Sequence, residues 1–308
     1  MKPTVVVLLS DKRSGSTFFQ RELLKHPSIQ TVNYSSHRYL ETHHWLKGAM
    51  ILNTGEASSN LYKGYGSVNN ALTLLVDTVK MNVLNWEIPD NNSDLVFGGW
   101  EALCKEFANP VFFEKSPQLL ASTAALDLFK TWMNTTEFDV KIIGLVRNPM
   151  SVLYSAQELF HTPPEKRQYG WMDIHKNLIE FSRDLSDDQF LLLKYEEMVV
   201  NTQDCFKTVC KFIGLQYDAK MGNEASRESL NLWKNDADFH FNLSNEVLEM
   251  AQQFGYTPSE LENPPKQKKQ SLKRIISTIQ KSWNKIVSKL YFHYYQPLKI
   301  KWKNRKFN

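Results

Sequence analysis

Cysteine is scarce in this chain. There are three in 308 residues, Cys104, Cys205 and Cys210, and none is spaced as Cys-x-x-Cys. Three cannot build a disulfide framework and do not suit structural zinc, so a reducing, cytoplasmic setting is expected. No run approaches the roughly 18 apolar residues that a membrane-spanning helix needs. The residues before the first strand lack the basic region, hydrophobic core and cleavage site of a secretory leader. Acidic residues are missing from one region only. Residues 266–308 hold 13 Lys/Arg and no Asp/Glu, which leaves 24 Lys/Arg against 33 Asp/Glu, a formal −9, over residues 1–265. Any basic-patch function therefore belongs to the tail, and a nucleic-acid partner is not expected.

What the chain does have is a run of β-branched and apolar residues, Val5 to Leu9, leading into Ser10-Asp11-Lys12-Arg13-Ser14-Gly15-Ser16-Thr17 and then the helical pattern Phe18 to Leu24. This reads as a strand buried on both faces, a loop, and a helix. Ser14, Gly15, Ser16 and Thr17 bring backbone N–H groups and hydroxyls to a helix N-terminus, where an anion is favoured. Arg13 adds a fixed positive charge. A Walker A loop is excluded, because Ser10 stands where its first glycine should be and no Lys follows Gly15. A plain capped helix start is the bland alternative.

A second strand-loop-helix unit runs from Val140 to Ser155. Arg147 stands at the strand's carboxyl end, Asn148-Pro149 starts the helix, and Ser155 follows two turns on. A forked cation with a hydroxyl donor suits a phosphate. A sheet-edge structural Arg is the alternative.

Arg13-Ser14-Gly15-Ser16-Thr17 with His26-Pro27, and Arg147 followed eight residues later by Ser155, together resemble the sulfotransferases that use 3′-phosphoadenosine 5′-phosphosulfate (PAPS), in the style of their carbohydrate and bacterial members. The resemblance implies a three-layer α/β fold with a central, mostly parallel, P-loop-like sheet. It implies a 5′-phosphosulfate loop at Arg13 to Thr17 and a 3′-phosphate site at Arg147 and Ser155, with PAPS as co-substrate and no metal. It covers about residues 4–256. Glu114-Lys115-Ser116-Pro117 resembles the third core strand, whose Lys approaches the transferring group. Tyr195-Glu196-Glu197-Met198 resembles another strand end, and Arg227, with Trp233 beyond it, a degenerate form of the nucleotide-wrapping loop whose usual Arg-Lys-Gly is missing. The base that takes the acceptor's proton is expected among His37, Glu41, His43 and His44, in the loop after a second strand at residues 28–34.

Elsewhere, a helix is expected over 69–84 and a loop over the acceptor from Gly48 to Gly66. Trp45, Trp86 and Trp100 suit either a sugar-stacking wall or the core. Residues 1–262 form the expected catalytic domain. Residues 263–308 form a basic amphipathic helical extension, with Leu272, Ile275, Ile276, Ile279, Trp283, Ile286, Val287 and Leu290 on one stripe. Such a helix either docks on the acidic body or rests peripherally on an anionic membrane or partner. The resulting expectation is sulfuryl transfer to a hydroxyl of a carbohydrate or small metabolite. A P-loop-type kinase and a non-catalytic scaffold acting through the basic tail are the alternatives.

Overall fold

The Val5–Leu9 run is apolar throughout because both of its faces are covered. In the computed structural model, which describes residues 2–52, 66–224, 227 and 230–263, the first strand, β1 (Thr4–Ser10), is buried at all seven residues. Side chains alternate across a strand, and here the alternation divides two cores. Val5, Val7 and Leu9 enter the larger and Val6 and Leu8 the smaller.

In chain order the remaining elements are α1 (Ser16–Leu23), β2 (Ile29–Gln30), α2 (His44–Ile51), α3 (Val68–Lys80), α4 (Asn92–Phe107), β3 (Val111–Lys115), α5 (Thr123–Met133), β4 (Asp139–Val146), α6 (Pro149–Phe160), α7 (Pro164–Ser182), β5 (Phe190–Lys194), α8 (Tyr195–Val200), α9 (Thr202–Phe212), α10 (Leu232–Asn235), α11 (Asn245–Gln253) and α12 (Pro258–Leu261). The five strands form one sheet in the order β2-β3-β1-β4-β5 with every pair parallel. The expected three-layer α/β architecture is present. Phe19 of α1, Met198 of α8 and Phe206 of α9 fill the smaller core, while α2 to α5, α7 and α11 enclose the larger.

This strand order places the site. The central β1 lies between β3 and β4 and runs parallel to both, so the loops leaving all three strands emerge side by side at the carboxyl edge, where open α/β sheets bind ligands. Leu8 pairs with Lys115 and Ser10 with Leu145, which brings Arg13, Lys115 and Arg147 to one edge.

Several expectations need correction. The second strand is two residues long, not seven. Val32 turns into the core, and the N–H groups of Asn33 and Tyr34 donate to Asn82 Oδ1 at 2.7 and 3.0 Å instead of to a neighbouring strand. The helix expected over 69–84 starts at Val68, capped by Ser67, whose hydroxyl accepts from the Asn70 amide at 3.1 Å, and it stops at Lys80. Gly48 to Ile51 are helical rather than loop; residues 53–65 lie outside the described residues, as does the basic extension from 264 onward. Trp45 and Trp100 are core, 2% and 0% exposed with ring centroids 5.4 Å apart, and Trp86 packs on the same cluster. Trp45 and Trp100 are therefore not available as a sugar-stacking wall. Among the described residues no helix is long and apolar enough to cross a membrane.

Candidate active site

Gly15 shows why the first loop needs glycine. Its φ is +92°, a left-handed backbone that side chains resist, and a Cβ there would lie 2.2 Å from Cε2 of Tyr195. The Cδ2–Cε2 edge of the Tyr195 ring therefore closes on the loop. Over the same ring the Arg147 guanidinium sits 4.3 Å from the centroid, within cation–π range.

The two loops are latched directly. Arg147 Nη1 donates to the carbonyl of Arg13 at 2.9 Å, and Arg13 Nε donates to Ser155 Oγ at 3.0 Å. Arg13, with φ +73°, thus reaches across to α6. Burial lowers both arginine pKa values, and Arg13 is lowered further by the Arg147 charge beside it. Two like charges brought together in a half-buried recess form an anion site in waiting. Ser14 is fully buried, and its hydroxyl has no hydrogen-bond partner among the described residues. Beyond it, the first turn of α1 offers amides that have no intrahelical partner.

These groups open onto a cleft of about 400 Å³, walled by Arg13 and Gly15 to Thr17, by Arg147 and Tyr195, by one face of α6, and by Leu232 and Trp233 of α10. Ser151, Tyr154, Ser155, Glu158 and Leu159 supply the α6 face. Sequence reasoning found only Ser155 of these five, although their spacing of 3, 4, 7 and 8 from Ser151 is one helical stripe and was available from the sequence. Arg227 is not brought there. It is exposed, and its Nη2 donates to the carbonyl of Val200 at 2.9 Å.

Lys115 links the first loop to three of the four candidate bases, Glu41 directly and His43 and His37 beyond it. Its Nζ lies 3.3 Å from Thr17 Oγ1 and 2.6 Å from Glu41 Oε1, and the side chain is 1% exposed. Glu41 Oε2 is 3.2 Å from His43 Nε2, and the His43 ring stacks on that of His37 with centroids 4.1 Å apart. Burial tends to raise the Glu41 pKa, but the hydrogen bond from His43 and the Lys115 charge outweigh it and hold the carboxylate below its usual range. Burial lowers His43, and takes His37 down to about 2 with help from its neighbour His43. Both rings are neutral near pH 7.

His44 is separated from this group. His43 adopts a left-handed backbone (φ +49°) as the residue before α2, so the next side chain turns into the core. There His44 Nε2 meets the Val96 carbonyl at 2.7 Å and the ring packs on Trp100. Burial lowers its pKa to about 3. An unfolded His titrates near 6.5, so the unfolded chain binds the proton first as pH falls. This contribution to stability is complete above pH 6.5 and is lost on acidification towards 3. Between pH 7.5 and 5, wild type is expected to lose about 2 kcal/mol more unfolding free energy than His44→Gln, measured by urea titration.

Beneath the loop lie two buried groups to which the sequence assigned no role, Glu114 of the quoted motif and Lys47. Glu114 Oε1 accepts from the Thr42 amide at 3.2 Å, the Thr42 hydroxyl at 2.8 Å and the Ser116 hydroxyl at 2.5 Å, and Ser116 Oγ accepts from the His43 amide at 2.9 Å. Lys47 Nζ donates to the Thr42 carbonyl at 2.8 Å, and burial takes its pKa down to about 7. Together they fix residues 42–44 on β3. The loop after β4 is tied down comparably. Glu196 accepts from the Asn148 amide at 3.1 Å and the Tyr256 hydroxyl at 2.8 Å, and Asn148 Nδ2 donates to the Glu260 carbonyl at 2.8 Å.

Comparison with known proteins agrees with this geometry. The sulfotransferase domain family model matches residues 3–291. The sulfotransferase domain of the olefin synthase of Synechococcus PCC 7002 superposes with a TM-score of 0.52 at 18% identity, covering 82% of this chain and 95% of that one. The sulfotransferase domain from the curacin biosynthetic pathway gives 0.53 at 18% identity, over 83% and 98%. At such identity these two carry a likeness of fold. No curated protein sequence matches. With the family model spanning nearly the whole chain and the fold agreeing, this protein belongs to the sulfotransferase domain family and is a sulfotransferase.

Proposed function

We propose that the enzyme takes its sulfuryl group from PAPS and passes it to the hydroxyl of a small-molecule or carbohydrate acceptor, with Glu41 and His43 as the proton-accepting pair. The observation that carries this reading is Lys115, whose ammonium bridges Thr17 of the anion loop and Glu41. One cation thus stands between the leaving-group side and the base side.

The residues present suit the donor. The Arg13 to Thr17 loop offers a charge, helix amides and the unused Ser14 hydroxyl to the 5′ end. Arg147 and Ser155 offer a fork and a hydroxyl to the 3′-phosphate, and Trp233 and Tyr154 wall the cleft between α6 and α10.

In-line transfer forms a bond between the acceptor oxygen and sulfur and breaks the bond from sulfur to the 5′-phosphate oxygen. The electron pair leaves with 3′-phosphoadenosine 5′-phosphate (PAP), and the hydroxyl proton passes to Glu41. Lys115 and Arg13 stabilise the charge that grows on the departing oxygen, where preorganised donors have most effect. As Lys115 is drawn towards that oxygen its hold on Glu41 relaxes. The carboxylate therefore becomes more basic as the proton needs a destination. His43 keeps it oriented, which suits a base within hydrogen-bond reach.

Isothermal titration tests the donor assignment. Wild type is expected to bind PAP at least about a hundredfold more tightly than ATP with magnesium, and Arg147→Ala to lose about 2–4 kcal/mol of that affinity, as for a truncated charge-assisted contact. No binding of PAP by wild type, or full binding by Arg147→Ala, would overturn it.

A further inference from the structure

Helix α7 contributes nothing to the cleft wall, yet two of its side chains grip the two cation-bearing loops from behind. Arg167 Nη2 pairs with the carboxylate of Asp11 and lies 3.5 Å from the carbonyl of Lys12. Asp11 is 1% exposed and immediately precedes the Lys12-Arg13 turn. One turn further along α7, Trp171 Nε1 donates to the carbonyl of Arg147 at 3.2 Å. Residues four apart share a helix face, so one rigid face addresses both loops.

The helix is itself immobilised. Trp171 is fully buried, stacked on His175 with centroids 3.9 Å apart, and Phe254 of the following core meets both rings edge-on. The His175 Nδ1–H donates to the carbonyl of Trp171 at 2.6 Å, and Gln168 Oε1 accepts from the Ser244 amide at 2.9 Å. A phenylalanine would fill most of the Trp171 site. The indole N–H is the part whose partner lies in the ligand loop, and the geometry assigns it a task that packing does not require.

We propose that α7 sets the spacing of the donor site: Arg167 positions the 5′-side loop and Trp171 the 3′-side loop, at the separation that a 3′,5′-bisphosphorylated nucleoside needs. The proposal rests on the PAPS reading above. Arg13 and Arg147 repel each other, and the hydrogen bonds that join their loops directly run from Arg147 to the Arg13 carbonyl and from Arg13 to the Ser155 hydroxyl, both made by the two mutually repelling side chains. Without a common brace the two loops would separate when empty, and ligand binding would have to reverse that opening. Both residues act through the loops and are positioning residues.

The two braces serve different phosphates, which gives a test that needs no acceptor. Titration calorimetry would compare PAP, adenosine 3′-monophosphate and adenosine 5′-monophosphate on wild type, Trp171→Phe and Arg167→Lys. Trp171→Phe is expected to weaken PAP and the 3′-monophosphate roughly fivefold to tenfold, as for one lost hydrogen bond, and to leave the 5′-monophosphate within about twofold. Arg167→Lys is expected to do the reverse. General loosening of the fold would weaken both monophosphates alike in either variant, and that outcome overturns the proposal, as does unchanged binding by folded variants. If Trp171→Phe fails to fold, the partly exposed Arg167→Lys decides, since equal loss of both monophosphates or loss of neither contradicts its assigned side. Wild type that binds no PAP overturns the donor reading and this proposal with it. PAP binding without the two-sided split overturns this proposal alone.

Discussion

Gly15→Ala is expected to abolish measurable PAP binding while leaving a folded protein. The added methyl meets two obstacles. Its backbone sits at φ +92°, which costs a residue with a Cβ about 1 kcal/mol. The methyl would also fall 2.2 and 2.3 Å from two carbons of the Tyr195 ring. That ring cannot withdraw freely, because the Arg147 guanidinium rests on it and Tyr195 is packed with Met198 and Val199 in the smaller core. One methyl group therefore disturbs the 5′-side loop directly and the 3′-side cation through the ring. A loss of at least about 3 kcal/mol in PAP affinity, over a hundredfold, follows if both halves shift, since misplaced charge-assisted contacts each cost about 1.5–3 kcal/mol. Calorimetry with PAP, alongside circular dichroism to check folding, measures it. Binding within a few-fold of wild type would mean that the nucleotide lies elsewhere.

Lys115→Met is expected to separate binding from turnover. The side chain is buried at the end of β3 with its ammonium between Thr17 and Glu41, and methionine keeps much of its length and apolar stem. PAP should bind within about fivefold of wild type, because Arg13, Arg147 and the α1 amides remain. Sulfuryl transfer from labelled PAPS, measured with an acceptor found by screening, should fall about a thousandfold, the scale of removing one preorganised donor to developing charge. Loss of the cation also leaves Glu41 without its strongest ionic partner, so its pKa should rise and the acid limb of the rate profile should move to higher pH. A variant that transfers at near the wild-type rate would remove Lys115, and the bridge it makes, from the mechanism.

Both variants concern residues that could be read from the sequence, and the reason is locality. A strand, a turn and a helix start occupy a dozen or so consecutive residues, with Gly15 at one turn and Asn148-Pro149 at the other, so the Arg13 to Thr17 and Arg147 to Ser155 units carry their own geometry in their order. The base cluster was legible only as a set. Choosing among His37, Glu41, His43 and His44 depends on the left-handed turn at His43 and on β1 and β3 pairing so that Lys115 stands beside Thr17. Neither is encoded by spacing. The aromatic residues illustrate a different limit. Trp45 and Trp100 have the chemistry of a sugar platform, and only tertiary packing decides that they are core. Glu114, quoted only as part of its motif, and Lys47 were given no role because a buried charge looks like any surface charge until its partners are known.

The central place of β1 bears on how the chain reaches this state. Val5 to Leu9 leaves the ribosome well before its partners, which start at Val111 and Asp139, more than a hundred residues later. During that interval a five-residue apolar, β-prone segment is exposed with both edges unpaired, the condition under which chains associate with one another. Pairing over such sequence separations is also slow. Soluble yield should therefore be limited by the lifetime of the half-made chain, more than by the stability of the finished sheet. Slowed synthesis at low temperature, or a holding chaperone that covers the first strand, should raise that yield.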